Sequence, residues 1–413
     1  MKCRRLRMVA GLILAIMMLS TLFTFGCKAQ PTTTAATTAP EVKTLNFGVV
    51  FWLGWGLGID SKNGIEVSVD IINKAGGLSI GSEKYKLNPI FYDDNNNQAQ
   101  AVSAVNKLIF EDKVKFIISG SNFEDSFYSI CDSNKVVLLG GSTKDSILDP
   151  KYHYIFRANG SACFTTVLTS WMTKKYPEKK NWVVALPDSV GGHISGEFTG
   201  KVLKDSGVNA DLEYYPTGSP DLSSLGTKVK TLNPDVFLAT GAGVEGDSLG
   251  YKAAYQAGYR GQLFSPAALP PPQLAMMLTP EVAEGMIAGS DPVGLDPPGT
   301  KISEDFKNAW IAKIGKWQSP TLLFHMNYTC LQAALQKAGS IDPDKVAEAI
   351  ATGLQWDGPS GAFKMIDRPD KGNSRTVDCV FDLWPVKITG GKAVLIEHIS
   401  LADSYATYKK YNQ

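Results

Sequence analysis

Histidine is scarce in this chain. His153, His193, His325 and His398 are spread over 413 positions, with no HExxH pair and no spacing that would gather a zinc site. Cysteine is nearly as sparse: the six residues are widely scattered, so metal-ligand spacing is absent. Neither sign of charge is in excess. Lys plus Arg (41) balances Asp plus Glu (40), which removes the field that would recruit nucleic acid or an anionic membrane; no nucleic-acid partner is expected. Catalytic loops are missing as well. Gly54-Trp55-Gly56-Leu57-Gly58 lies where a dinucleotide loop would lie, between a first strand and a first helix. Ile59 replaces the last glycine of that fingerprint, and two tryptophans would crowd a pyrophosphate. Pro187-Asp188-Ser189-Val190-Gly191 has the outline of a nucleophile elbow, but with proline in place of its first glycine. No reaction is written in a recognisable motif, so neither an enzyme nor a cofactor is expected. A triad assembled from distant residues is the catalytic arrangement that sequence spacing leaves open.

What is present begins at the N-terminus. Lys2, Arg4, Arg5 and Arg7 precede an almost wholly apolar run over 9–25, closed by Thr24-Phe25-Gly26-Cys27. A basic start, an apolar core and a cleavage site describe an export signal rather than a fold element. Cys27, directly after that site, looks like the acylated cysteine of a bacterial lipoprotein box, although Phe25 is bulkier than the usual small residue there. The competing reading is an ordinary signal peptide or short anchor with an incidental cysteine. Residues 28–41, KAQPTTTAATTAPE, hold no large apolar side chain and read as an extended tether. The expectation is a signal over 1–26, a tether over 27–42, and a body held at a membrane surface outside the cytoplasm.

The body is long enough for two cores. Leu45, Phe47, Val49 and Phe51 alternate as a first strand, and Ile65, Val69 and Ile72 fall at helical spacing before Gly76-Gly77. A strand over 85–92, a helix through Val102, Val105 and Leu108, and short apolar runs at 116–118 and 136–139 follow. The rhythm restarts with helices over 163–176, 196–205 and 227–232 and strands over 182–186 and 236–239. Further helices are expected over 302–316, 321–338 and 343–352, and late strands over 377–381 and 393–396. Repeated strand–helix units mean parallel sheets flanked by helices. The predicted fold is α/β, with two doubly wound parallel-sheet lobes joined by a multi-crossover hinge. Lobe one takes 43–162 and 291–366, and lobe two takes 163–290 and 367–413. Pro-rich stretches at 270–272 and 297–298 are expected to be surface loops and a return crossing. Four cysteines of the body, Cys131, Cys163, Cys330 and Cys379, permit three disulfide pairings or none, and most read as small buried hydrophobes.

Several short motifs then occur in one order from Gly48 to Gly361. Gly48-Val49-Val50 opens the series. Ile72-Asn73-Lys74-Ala75-Gly76-Gly77, Phe91-Tyr92-Asp93-Asp94-Asn95 and Gln100-Ala101-Val102 follow, then Asn233-Pro234-Asp235-Val236, Ala257-Gly258-Tyr259 and Asp357-Gly358-Pro359-Ser360-Gly361. In that order they resemble the type I periplasmic binding proteins of the leucine/isoleucine/valine-binding group. The resemblance implies a solute receptor that closes like a Venus flytrap on an amino-acid-like ligand and feeds the permease of an ABC transporter. The expected solute is a small amino acid or an apolar or aromatic organic acid. A sensory receptor, or an exported cofactor-dependent enzyme, is the competing class; Arg4-Arg5 is shared with twin-arginine signals, but Leu6-Arg7-Met8 fits them poorly.

The ligand residues carried by the resemblance are Ser121 and Asn122 after the third strand, and Gly141, Ser142 and Thr143 after the fourth. A helix predicted from about Asn122 would aim free N–H groups at a ligand carboxylate; Ser121 and Asn122 could equally cap it. In lobe two the acid for a ligand ammonium falls on Glu245, with Asp247 as competitor; the structural alternative is a first-turn carboxylate meeting a helix dipole. Trp55, and with it Trp52, stands where the family's aromatic wall sits. Phe123, Gly191 and His193 complete the candidate set. Two departures are visible: no tyrosine occurs at 191–193, where the family has its stacking tyrosine, and Asn95-Asn96-Asn97 replaces half of the usual early disulfide.

Overall fold

The computed structural model describes residues 42–266 and 271–412. The export signal, the Cys27 lipid site and most of the tether lie outside the described residues. Six strands build the first large sheet: β1 (Lys43–Phe51), β2 (Leu78–Ile80), β3 (Glu83–Asp93), β4 (Phe116–Ser119), β5 (Val137–Gly140) and β6 (Ile155–Arg157). They lie in the order β2-β3-β1-β4-β5-β6. Only the β2–β3 hairpin is antiparallel. The last five residues of β1 and all of β4 and β5 are buried, as strands covered by helices on both faces must be. The helix Gly56–Lys74 ends at Gly76 and Gly77, whose φ of +96° at both positions reverses the chain into β2 without a Cβ penalty. Asn97 opens the helix Gln98–Phe110 by accepting the Gln100 N–H at 3.0 Å.

The second sheet starts with β7 (Asn181–Asp188), β8 (Asn209–Pro216), β9 (Val236–Ala239), β10 (Gln262–Ser265) and β11 (Ile287–Ala288). A separate antiparallel sheet of β12 (Gln355–Gly358), β13 (Gly361–Arg368) and β14 (Asn373–Phe381) follows. The chain then returns to the second sheet with β15 (Val386–Thr389) and β16 (Lys392–Leu395), giving the order β16-β15-β11-β10-β9-β7-β8. On β7, Trp182, Val184 and Leu186 enter one apolar core while Val183 and Ala185 enter the other. The two lobes repeat one topology: β3-β1-β4 in the first matches β8-β7-β9 in the second. Each therefore has a switch point, at the carboxyl ends of β1 and β4 and of β7 and β9, where open α/β sheets leave a crevice.

Two expectations are corrected. Pro271 and Pro272 do not sit in a loop; they open the helix Pro271–Leu278, because proline in a first turn forfeits only an N–H that has no helical partner. No long helix starts near Asn122. A 3₁₀ turn, Glu124–Ser126, precedes a six-residue helix, Tyr128–Ser133. The turn forms because Ser121 Oγ accepts the Phe123 N–H (3.2 Å) and Glu124 folds inward. Backbone pairing joins β13 to β14, with a register shift between Ile366 and Asp367. Cys131, Cys163, Cys330 and Cys379 are free and buried, and burial pushes their thiols up, Cys163 to about 12.

Candidate ligand cleft

The loops after the carboxyl ends of β1, β4, β5, β7, β8 and β9 converge on one cavity of about 1450 Å³. This exceeds the ~300–1,000 Å³ typical of a small-molecule pocket, so the two walls stand further apart than one small solute needs. From lobe one come Trp52, Trp55, Asp60, Ser121, Asn122, Glu124, Gly141, Ser142 and Thr143. Lobe two contributes Ser189, Gly191, Phe198, Tyr215, Thr217, Thr240, Glu245 and Asp247, among others. Of the candidates read from the sequence, Phe123 and His193 do not line the cavity. Phe123 packs against the lobe-one core. His193 stacks on Tyr214 with ring centres 4.3 Å apart and bonds Asp188 at 2.9 Å.

The glycine-rich loop after β1 exists for packing. A Cβ on Gly58 would lie 2.2 Å from the Trp52 carbonyl oxygen, so only glycine lets the helix start under that loop. Trp52 and Trp55 are stacked, with ring centres 6.0 Å apart and an interplanar angle of 29°. The Leu53 N–H donates to Asp93 Oδ1 at 3.1 Å and ties the loop to β3. The floor is Phe324, from the segment leading into the helix His325–Ala338. It packs on Phe51, and a Cβ on Gly120 or Gly141 would come within 2.2 or 2.8 Å of its ring.

The backbone donors after β5 are already engaged. Glu124, 1 % exposed, accepts the Gly141 N–H at 3.0 Å and the Ser142 N–H at 3.1 Å. Burial pushes its carboxyl from 4.5 up to about 7, against the pull of those donors and of Ser119 and Tyr128. In this arrangement a protein carboxyl occupies the N–H groups of Gly141 and Ser142, two residues that the resemblance makes ligand contacts. Ser121 is buried, Asn122 bonds Asn96 (2.9 Å), and Thr143 is exposed at the cleft. At another edge Asp60 accepts the Thr321 N–H at 2.9 Å, and Thr321 Oγ1 donates to Gln273 Oε1 at 3.2 Å; burial raises the Asp60 carboxyl. Asp60, Thr321 and Gln273, from three distant parts of the chain, are thereby joined by one chain of bonds.

In lobe two the helix Gly243–Gln256 presents both acids. Glu245 is exposed toward the cavity, and Asp247 is buried beneath it. Asp247 Oδ1 accepts the Ala242 N–H at 3.0 Å. Burial raises its carboxyl to about 7, with a further push from the charge of Glu245. Tyr215, at the end of β8, and Thr240, directly after β9, were missed in the sequence; their positions at strand carboxyl ends are the signal that marks them. Among the described residues no group of His, Cys, Asp and Glu could hold a metal ion.

Two α/β lobes with a polar, aromatic-walled cleft at their switch points define a solute-binding protein. The chain belongs to the periplasmic binding protein family, whose sequence profile matches residues 54–382. It is 26% identical over 322 residues to the leucine-, isoleucine-, valine-, threonine- and alanine-binding protein of Pseudomonas aeruginosa, covering 76% of this chain and 82% of that one. Among solved structures it is similar to a leucine-binding protein from Thermotoga maritima (TM-score 0.70, 19% identity, 87% of this chain and 100% of that one). It is also similar to a solute-binding protein of an ABC transporter from Rhodopseudomonas palustris HaA2 in complex with p-hydroxybenzoic acid (TM-score 0.72, 16% identity, 89% and 100%). These relatives are binding proteins and not enzymes, and the family's location is extracytoplasmic.

Proposed function

We propose that this protein is a lipid-anchored receptor that captures a small amino acid, or an apolar or aromatic organic acid, between its lobes and hands it to an ABC-transporter permease. The observation that carries this reading is the cleft itself. Loops from both switch points line one cavity, with Ser121 and Thr143 on one wall and Glu245 on the other. Closure would bring hydrogen-bond donors and an anion onto opposite ends of a zwitterion, each lobe gripping one charge. The stacked Trp52 and Trp55 supply a rigid apolar face for the rest of the solute. The P. aeruginosa and T. maritima relatives bind amino acids, and the R. palustris neighbour holds an aromatic acid; both solute classes suit this wall. We assign residues 43–162 and 291–366 to the first lobe and 163–290 and 367–413 to the second, with the β12–β14 sheet lying across the hinge. Acylated Cys27 and the tether would hold the body at the membrane, where closed lobes present a joint surface to the permease.

The test is to denature the purified protein, identify released small molecules by mass spectrometry, and add them back. A true solute at a hundredfold excess over its dissociation constant stabilises the fold by about 2.7 kcal/mol, and small-angle scattering shows compaction as the hinge closes. Chemical turnover of the solute, or binding with neither stabilisation nor compaction, would defeat the proposal.

A further inference from the structure

The charge on the cleft wall is lopsided. Among the described residues, Asp60, Glu124, Glu245 and Asp247 line it against one cation, Lys144, and the Lys144 ammonium lies 2.6 Å from Asp125. Three of these acids have plain tasks. Asp60 holds the Thr321 N–H, Glu124 holds the Gly141 and Ser142 N–H groups, and Glu245 is an exposed carboxylate at the cavity edge. Asp247 is different. Its Oδ1 holds the Ala242 N–H, which accounts for that oxygen as part of the helix start, but Oδ2 has no partner although the residue is 1 % exposed. On the same wall Tyr215 is 8 % exposed, and its hydroxyl is also unpartnered. The charge of Asp247 is felt at the Tyr215 hydroxyl, so the two groups share one region. Buried polar atoms in native proteins are almost always paired. Two orphans lining one cavity wall mark a place that a solute completes.

Glu245 and Asp247 offer separate carboxylates on this wall. Residues two apart on a helix point to different sides, and here one is exposed while the other is buried. We propose that Asp247 and Tyr215 form a second subsite for a cationic nitrogen, so that the solute carries a basic group beyond the ammonium met by Glu245. This rests on the reading of the cleft as a receptor for amino-acid zwitterions. One N–H of the cation donates to Asp247 Oδ2 and another to the Tyr215 hydroxyl oxygen, as an ammonium or guanidinium can do at once. Within the amino acids of the proposed function, the solute class is then the basic ones.

L-lysine, L-arginine and L-norleucine separate the two levels of the argument, because all three share the zwitterion and only the first two carry the further cation. Isothermal titration of the purified protein is expected to show lysine or arginine binding at least tenfold tighter than norleucine. Asp247→Asn should erase that preference, bringing lysine and arginine to the affinity of norleucine in the same variant. Tyr215→Phe, which breaks no bond within the protein, should reduce it even if the Asn variant folds poorly. Norleucine binding as tightly as both basic amino acids overturns the second subsite and leaves the zwitterion reading intact. Equal weakening of all three ligands in both variants assigns Asp247 and Tyr215 to structure only and also overturns it. Failure of all three to bind removes the zwitterion reading and this inference together.

Discussion

Glu245 and Glu124 sit in the same cleft and are expected to answer mutation in opposite ways. Glu245 makes no bond that Glu245→Gln would break within the cleft wall, and its partner in the proposed closed state is a ligand ammonium. Losing one member of a buried charge pair costs roughly 3–5 kcal/mol, so this variant should weaken an amino acid by two decades or more. A ligand without an amine should be nearly unaffected. Titration calorimetry with both ligand types checks this, and a change below threefold for the amino acid reduces Glu245 to a helix-start carboxylate. Glu124 belongs to the fold. Burial raises its carboxyl to about 7, so between pH 4.5 and 7 the unfolded chain ionises before the folded one and rising pH favours unfolding. The span is worth about 3 kcal/mol. Denaturant titrations at pH 4.5 and 8 should therefore show Glu124→Gln gaining on the parent protein by about that amount as pH rises. Parallel profiles would mean that the carboxyl ionises freely in place.

At the scale of elements, the β12–β14 sheet is held to its neighbours by a buried ionic cluster. Arg157 of β6 and Arg368 of β13 both bond Asp378 of β14, at 2.8 Å from Arg157 Nε and 2.8 Å from Arg368. Tyr408, from the helix Leu401–Asn412, adds a hydroxyl at 2.9 Å. Burial alone would raise the Asp378 carboxyl, but the two guanidinium groups more than reverse this and hold it well below the usual carboxylate range. A depressed pKa gives stability that is present above the unfolded value, near 4, and lost as pH falls. Asp378→Asn would leave the buried Arg157 without a carboxylate, while Arg368 keeps Asp370, and should cost about 3–5 kcal/mol, read as a fall in the urea midpoint at neutral pH. An unchanged midpoint would mean that water or another acid takes over. His325 acts in the same direction. Buried against Ser68 at 2.8 Å, it is pushed down to about 3, so acid favours the unfolded chain from about pH 6.5 downward.

For the whole molecule, the prediction concerns where it resides. Among the described residues no helix is long and apolar enough to cross a membrane. In the proposed lipoprotein, attachment comes from acyl chains on Cys27, at ~0.8 kcal/mol per buried CH₂. Cys27→Ser should move the protein from the membrane fraction to soluble or unprocessed pools in cell fractionation. Membrane association unchanged by that substitution would end the lipoprotein reading.

Periodicity and punctuation in the chain alone determined the two runs of parallel strands, the Gly76-Gly77 stop and the strand ends that carry Ser121, Gly141, Ser142 and Thr143. These depend on residues near in sequence, where apolar spacing and glycine geometry act directly. Glu245 and Trp55 were legible through the ordered motifs. Tyr215, Asp60 and Glu124 were not: Asp60 and Glu124 are set by partners elsewhere in the chain, and Tyr215 by the cavity wall that its strand end joins. Asp60 depends on Thr321, and Glu124 on the N–H groups of 141 and 142. The expected helix at Asn122 failed for the same reason: a Ser-Asn just after a strand is a good helix start, until the buried Glu124 carboxyl finds two unpaired donors after the next strand. Only the tertiary structure could decide which acid is paired and which is left open, since an orphan such as Asp247 Oδ2 is defined by everything that surrounds it and fails to bond to it.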